Sequence, residues 1–190
     1  MDDIKALQEQ LHSQRPVGWE KLPDFPLYMD QVLAYMERQF IRFDGEDALT
    51  AAMVNNYTKS GLVPRADGKK YNREHLAYLT AVGILKHVLS TKDMDLLIRE
   101  ELQGRESVEN GYAAFCESLD RALVTTAEEI DKVPEEETVA DRAFHFALLS
   151  YAAGIACSRY ISLLREQKGE TEEPAKPAKR KKEKEHKNNA

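Results

Sequence analysis

LTAAMVNNYTKSGLVPRADGKKYNREHL, residues 49–76, decides how this chain is read. Thr50 has the side chain of a helix N-cap, whose oxygen takes up a free backbone N–H, and Ser60-Gly61 has the form of a helix stop. The spacing between them predicts a short helix from Ala51 to Lys59. Pro64, Asp67 and Gly68 punctuate the next stretch, across which Leu62-Val63 and Lys69 to Tyr71 are expected to pair as a small two-stranded wing. Asn72 is placed to cap another helix. The stretch also concentrates positive charge: from Tyr57 to His75, Lys59, Arg65, Lys69, Lys70 and Arg73 face only Asp67 and Glu74.

Working outward, Val32, Leu33, Met36 and Phe40 mark one buried stripe on a helix that opens near Asp30 and ends near Asp44-Gly45, so two helices meet through a turn. Downstream, Leu76, Leu79, Ala81 or Val82, Leu85 and Val88 to Leu89 follow helical spacing. Ser90 and Asp93 open a fourth helix, with Met94, Leu97 and Ile98 inward, that ends near Gln103-Gly104. Ahead of the first helix, Ile4, Leu7 and Leu11 suggest a short amphipathic helix, and Pro16, Gly18, Pro23 and Pro26 an extended strap held by Trp19 and Phe25. Beyond Gly104, Tyr112, Phe115, Leu119, Ala122 and Val124 to Ile130 line a helix stopping before Pro134. The acidic run Glu135-Glu136-Glu137-Thr138 starts a last helix reaching about Gln167. The expected fold is mainly α: an N-terminal extension (1–28), a winged helix-turn-helix with a small β wing (29–103), an all-helical dimerisation or sensing section (104–168) and a disordered charged tail (169–190).

Leu49-Thr50, Val54, Asn55-Asn56-Tyr57, Gly61-Leu62-Val63-Pro64, Tyr71, His75-Leu76, Leu79, Leu85-Lys86, Leu89-Ser90 and Asp93-Met94 follow in order the spacing of a MerR-type DNA-binding domain, which this region resembles from about Leu49 to Ile98. With Leu22-Pro23 and Phe25-Pro26 ahead of it, the chain further resembles a bacterial family catalogued only as a conserved domain of unknown function. The MerR resemblance implies a recognition helix that presents Asn55, Asn56 and Lys59 to DNA, wing contacts from Lys69 and Lys70, and Tyr71 and Arg73 close to phosphates. Asn55 and Asn56 stand where the family usually has an arginine and a tyrosine. The family's single long coiled-coil helix and its metal-sensing cysteines are missing.

These residue types suit that chemistry. Asparagine can make two hydrogen bonds to the N6 and N7 edge of adenine in the major groove, although it also bonds local backbone readily. Lys59, Arg65, Lys69, Lys70 and Arg73 could each neutralise a phosphate, and the helix N-terminus at Thr50 offers free amides to another. The net charge of −6 looks unfavourable for DNA, but the five cations outnumber the island's acids by three, so the acid lies elsewhere.

No Gly-rich phosphate loop, GxSxG or compact acid–base constellation suggests an enzyme. The five histidines lack ligand spacing, and Cys116 and Cys157 form no CxxC pair, so no metal or other cofactor is expected. The charged N-terminus lacks the apolar stretch of a secretory signal, which points to the cytoplasm. Ala143 to Ser158 runs sixteen residues without a formal charge, short for a membrane span, and Ala152, Ala153, Gly154, Ala156 and Cys157 would let another helix approach. The expected partners are therefore double-stranded DNA and a second copy of the chain, with no membrane. Tyr112, Phe115, Phe144, Phe146, Tyr151 and Tyr160 could alternatively surround a small-molecule effector. The leading expectation is a dimeric sequence-specific transcription regulator, and its rival is a helical protein-interaction module on the same scaffold without DNA binding.

Overall fold

The computed structural model describes residues 2–41, 48–132 and 137–169. Its helices are α1 (Asp2–Ser13), α2 (Met29–Met36), α3 (Ala51–Ser60), α4 (Arg73–Leu85), α5 (Thr91–Ile98), α6 (Val108–Lys132) and α7 (Val139–Lys168), with a 3-10 turn at Trp19–Lys21 and a π turn at Arg99–Gln103.

The caps form where the residue types place them. Thr50 Oγ1 accepts from the Met53 N–H, Ser90 Oγ from Asp93, and Thr138 Oγ1 from Asp141. At α4, Asn72 Oδ1 accepts from the His75 N–H while His75 Nδ1 accepts from the Asn72 N–H, a reciprocal box that starts the central helix. From His75 to Gly83 every residue of α4 is buried, because α2, α5 and α6 all pack on it. The core gathered around it runs from Leu22 and Leu27 through Val32, Met36, Val54, Leu62 and Val63 to Leu102 and Tyr112.

The wing is a correction. Among the described residues there is no strand or sheet, and the fold is all-helical. Leu62 and Val63 do not pair with Lys69 to Tyr71, because both are apolar enough to be drawn into the core. What remains is a four-residue turn, Asp67 to Lys70, closed by two backbone hydrogen bonds of 3.1 and 2.8 Å. Tyr71 pairs instead with Leu27 of the strap, N–H to carbonyl in both directions at 2.8 and 2.9 Å. Single bridges of this kind build no ladder.

Other expectations shift in detail. Helix α2 closes at Met36, and its expected end near Asp44-Gly45 lies outside the described residues, as do the stop at Pro134, Glu135-Glu136 and the tail from Glu170. Val88 is exposed rather than inward. Phe25, expected to anchor the strap, is exposed; Leu22 and Leu27 are the buried anchors, and Trp19 leans on Tyr112 with ring centroids 6.3 Å apart.

Tyr112, fully buried, donates to the Val17 carbonyl at 2.8 Å, and burial pushes its phenol far above the ordinary value, so it stays a donor at any physiological pH. Helix α1 lies along α6, with Gln8 Nε2 donating to the Ala127 carbonyl and Arg15 paired with Asp120. Burial raises the Cys116 thiol, which disfavours its thiolate form.

Helix α6 crosses the π turn at Gly111. A Cβ there would stand 2.5 Å from the Glu101 carbonyl oxygen and 2.7 Å from Leu102 Cα, both main-chain atoms that cannot step aside. Gly111→Ala should therefore destabilise the fold by about 1–3 kcal/mol, the usual range for overpacking. Urea unfolding followed by circular dichroism checks this. A midpoint equal to that of the unsubstituted chain would mean that α6 and the turn are not in close contact.

Candidate nucleic-acid interface

Helix α3 is held by its inner face. Val54 is fully buried, and Leu62 and Val63 follow it into the core once Gly61, in the left-handed region at φ +82°, has turned the chain back. The Val63 N–H donates to the Tyr57 carbonyl, which fastens this return to α3 itself. Ala52, Asn55, Asn56 and Lys59 are all exposed, and their spacing of three, four and seven puts them on one outward face.

The Asp67 to Lys70 turn faces that helix. Its two central residues, Gly68 and Lys69, have φ of +52° and +71°, the left-handed pair of a tight hairpin turn. Glycine adopts this without cost, whereas Lys69 does so against its Cβ. The position is enforced from both sides by the Asp67–Lys70 backbone bonds and by the Leu27–Tyr71 pair one residue later.

Between helix and turn lies an open cleft of about 590 Å³, lined by Met29, Asn55, Thr58, Lys59, Arg65, Ala66, Lys69 and Tyr71. Five of the residues singled out in the sequence meet here: Asn55, Lys59, Arg65, Lys69 and Tyr71. Among the described residues no carboxylate lines the cleft, and three cations act on one space. Tyr71 is buried and Tyr57 half-buried, and burial raises both phenols. Tyr71 serves the cleft as a neutral wall.

The remaining four lie outside the lining. Thr50 is exposed at the start of α3, where its side chain is engaged as the cap. Asn56 is exposed one position round the helix from Asn55. Lys70 is drawn over the Tyr28 ring, 5.4 Å from its centroid, and Arg73 over Trp19 at 5.7 Å, so cation–π attraction takes both away from the cleft.

Sequence reasoning missed Thr58, Met29 and His75. Thr58 stands three residues after Asn55, a spacing that could have revealed it. His75 acts from behind: its Nδ1 accepts from the Asn72 N–H, so Nε2 carries the proton and donates to the Arg65 carbonyl at 3.1 Å. The first turn of the core helix thereby fixes the loop that carries Arg65. Met29 gave no signal, because its role depends on where the strap brings the start of α2.

Among the described residues, no cluster of His, Cys, Asp or Glu is arranged to hold a metal ion. The aromatic residues considered as an effector cage part company: Tyr112 is fully buried, while Phe144, Tyr151 and Tyr160 are exposed on α7.

No curated protein and no solved structure matches this chain. Residues 17–115 match a family described as Domain of unknown function (DUF1836), a span that takes in the strap, α2 to α5, the cleft and the first turns of α6. With more than half of its length inside that match, the chain belongs to the DUF1836 family.

Proposed function

We propose that the chain is a sequence-specific DNA-binding transcription regulator that acts as a homodimer, with α3 as its recognition helix. The observation that carries this reading is the cleft in which the exposed face of α3 meets the cations of the loop that follows it. Helix α3 has ten residues, about 15 Å at 1.5 Å each, and the B-DNA major groove is about 12 Å wide and admits a helix. With Asn55 and Asn56 towards the bases, Lys59 lies on the same face near the groove edge. Arg65 and Lys69 then stand where the flanking phosphates would pass.

The order of these residues resembles the helix-turn-helix of MerR-type proteins, with the Asp67 to Lys70 turn occupying the place of the loop after the recognition helix. The acidic part of the chain favours the same orientation, since it repels a polyanion while the basic island attracts one. A helical protein-interaction module that uses the same scaffold without DNA binding is the second reading, favoured by the net charge of −6, which repels a polyanion.

Two measurements separate these readings. Removing one phosphate-neutralising side chain should reduce the slope of log affinity against log salt by about 0.9 on B-DNA. Lys59→Ala with Lys69→Ala should therefore lower the slope by up to about 1.8 and weaken specific and unrelated duplexes alike. Fluorescence anisotropy across a salt series reads both effects, and a double variant with unchanged slope and affinity would make these lysines ordinary solvated surface.

Asn55→Ala should behave differently. On the best site, obtained by selection from a random duplex pool, it should lose about 1–3 kcal/mol and relax discrimination at one base position. Equal weakening on every sequence would demote Asn55 to a backbone contact. Failure of the pool to yield any enriched duplex would remove the DNA reading in favour of the interaction module.

A further inference from the structure

Helix α7 is thirty residues long, yet Ile161 is its one buried residue. Its uncharged run from Ala143 to Ser158 is mostly exposed within a single chain. Nor do its small residues serve a close approach here, for a Cβ added at Gly154 would meet nothing within 4 Å. By length and composition α7 is also, among the described residues, the one helix that could cross a membrane.

Four of its exposed large apolar residues have an order, while Val139, Leu149 and Tyr160 lie on other faces. Phe144, Leu148, Tyr151 and Ile155 are 68, 54, 69 and 55% exposed and follow spacings of four, three and four, the alternation of a coiled-coil seam. At 100° per residue they fall within about 60° of one another, turned about 110° from buried Ile161 and about 150° from half-buried Cys157. Taking about 200 Å² for a whole large side chain, the seam leaves on the order of 500 Å² of apolar surface in water. That is as large as the largest patch on a typical monomer, about 300–600 Å², a size at which such patches are often functional. With its flanks it approaches the about 800 Å² per partner of a standard protein interface.

We infer that this seam is covered by the same seam of a second copy, running antiparallel about a two-fold axis between Leu149 and Ser150. That register is self-complementary. Phe144 of one copy faces Ile155 of the other, and Leu148 faces Tyr151. The charges agree with it: Asp141 and Arg159 lie on the same flank of the seam, and antiparallel pairing brings Asp141 of each copy to within one residue of the level of Arg159 in the other. In a parallel pair these opposite charges would stand eighteen positions apart along the seam.

A bilayer fits this surface less well. The uncharged run of sixteen residues, Ala143 to Ser158, spans about 24 Å against a hydrocarbon core of about 30 Å. Both ends of α7 are also tied alongside the same globular body. His145 Nε2 lies 3.2 Å from Glu129 of α6, while Arg165 pairs with Asp93 and Lys168 with Glu100. A spanning helix would have to give up one set of these ion pairs.

This pairing locates the homodimer of the proposed function but does not depend on DNA binding, so the two can fail separately. Light scattering of the full chain should give twice its 21.6 kDa, and Tyr151→Glu should return the mass to one copy with helical circular dichroism unchanged. Direction is read by cross-linking with Cys116 and Cys157 replaced by serine. Oxidising a mixture of Phe144→Cys and Ile155→Cys chains should give a disulfide-linked pair, and each alone should give none. Copies of one position lie eleven residues, about 16 Å, apart in this register, beyond the about 7 Å a disulfide spans. Cross-linking of each variant with itself would overturn the antiparallel register. A one-copy mass, or flotation of the chain with phosphatidylglycerol vesicles in place of self-association, would overturn the pairing itself.

Discussion

Everything in this protein is arranged around a helix that has no outer face. Helix α4 is buried continuously from His75 to Gly83, and a helix in that position must be wrapped by other elements or exposed at a cost of about 25 cal/mol for each Å² of apolar surface. Helices α2, α5 and α6 supply the wrapping. The loop between α3 and α4 is thereby held at both ends by the core, through Leu62 and Val63 on one side and Tyr71 and His75 on the other. Its exposed middle, Arg65 to Lys70, has little freedom left.

For the proposed DNA contact, that restraint separates the cleft from an ordinary patch of surface lysines. A flexible cation gains little from a phosphate because its own ordering offsets the attraction, whereas one on a fixed turn has already given up that freedom on folding. Lys69 sits on such a turn, and Arg65 is fixed through its carbonyl by His75. Lys70 and Arg73 show the opposite outcome. Aromatic rings nearby offered them a closer partner, and two of the five cations of the basic island left the cleft for the strap.

The parts of this arrangement that were legible in the sequence are local. Thr50, Asn72 and Ser90 cap helices because a cap is decided within four residues, and Asn55 and Lys59 share a face because helical spacing fixes it. What could not be read depends on distant partners. The pairing of Tyr71 with Leu27 spans 44 positions, and it took the segment that was expected to form a wing. Leu62 and Val63 read equally well as strand or as core, and only the burial of α4 decides between them. Helix α7 was legible as apolar but not as exposed, since a seam carries no mark of whether its cover lies in the same chain.

The way the N-terminal segment is fastened bears on the order in which the chain assembles. Helix α1 packs on α6, and its neighbouring side chains reach Asp120 and the Ala127 carbonyl, while Tyr112 holds Val17. These partners are separated by 95 to 119 residues, among the longest spans in the molecule. A ribosome adding about 5–20 residues per second leaves the first twenty residues without their surface for several seconds. During that interval α1 is too short to be stable alone, as helices under about 12–15 residues are marginal in water. Helix α1 is therefore made well before the α6 surface on which it docks.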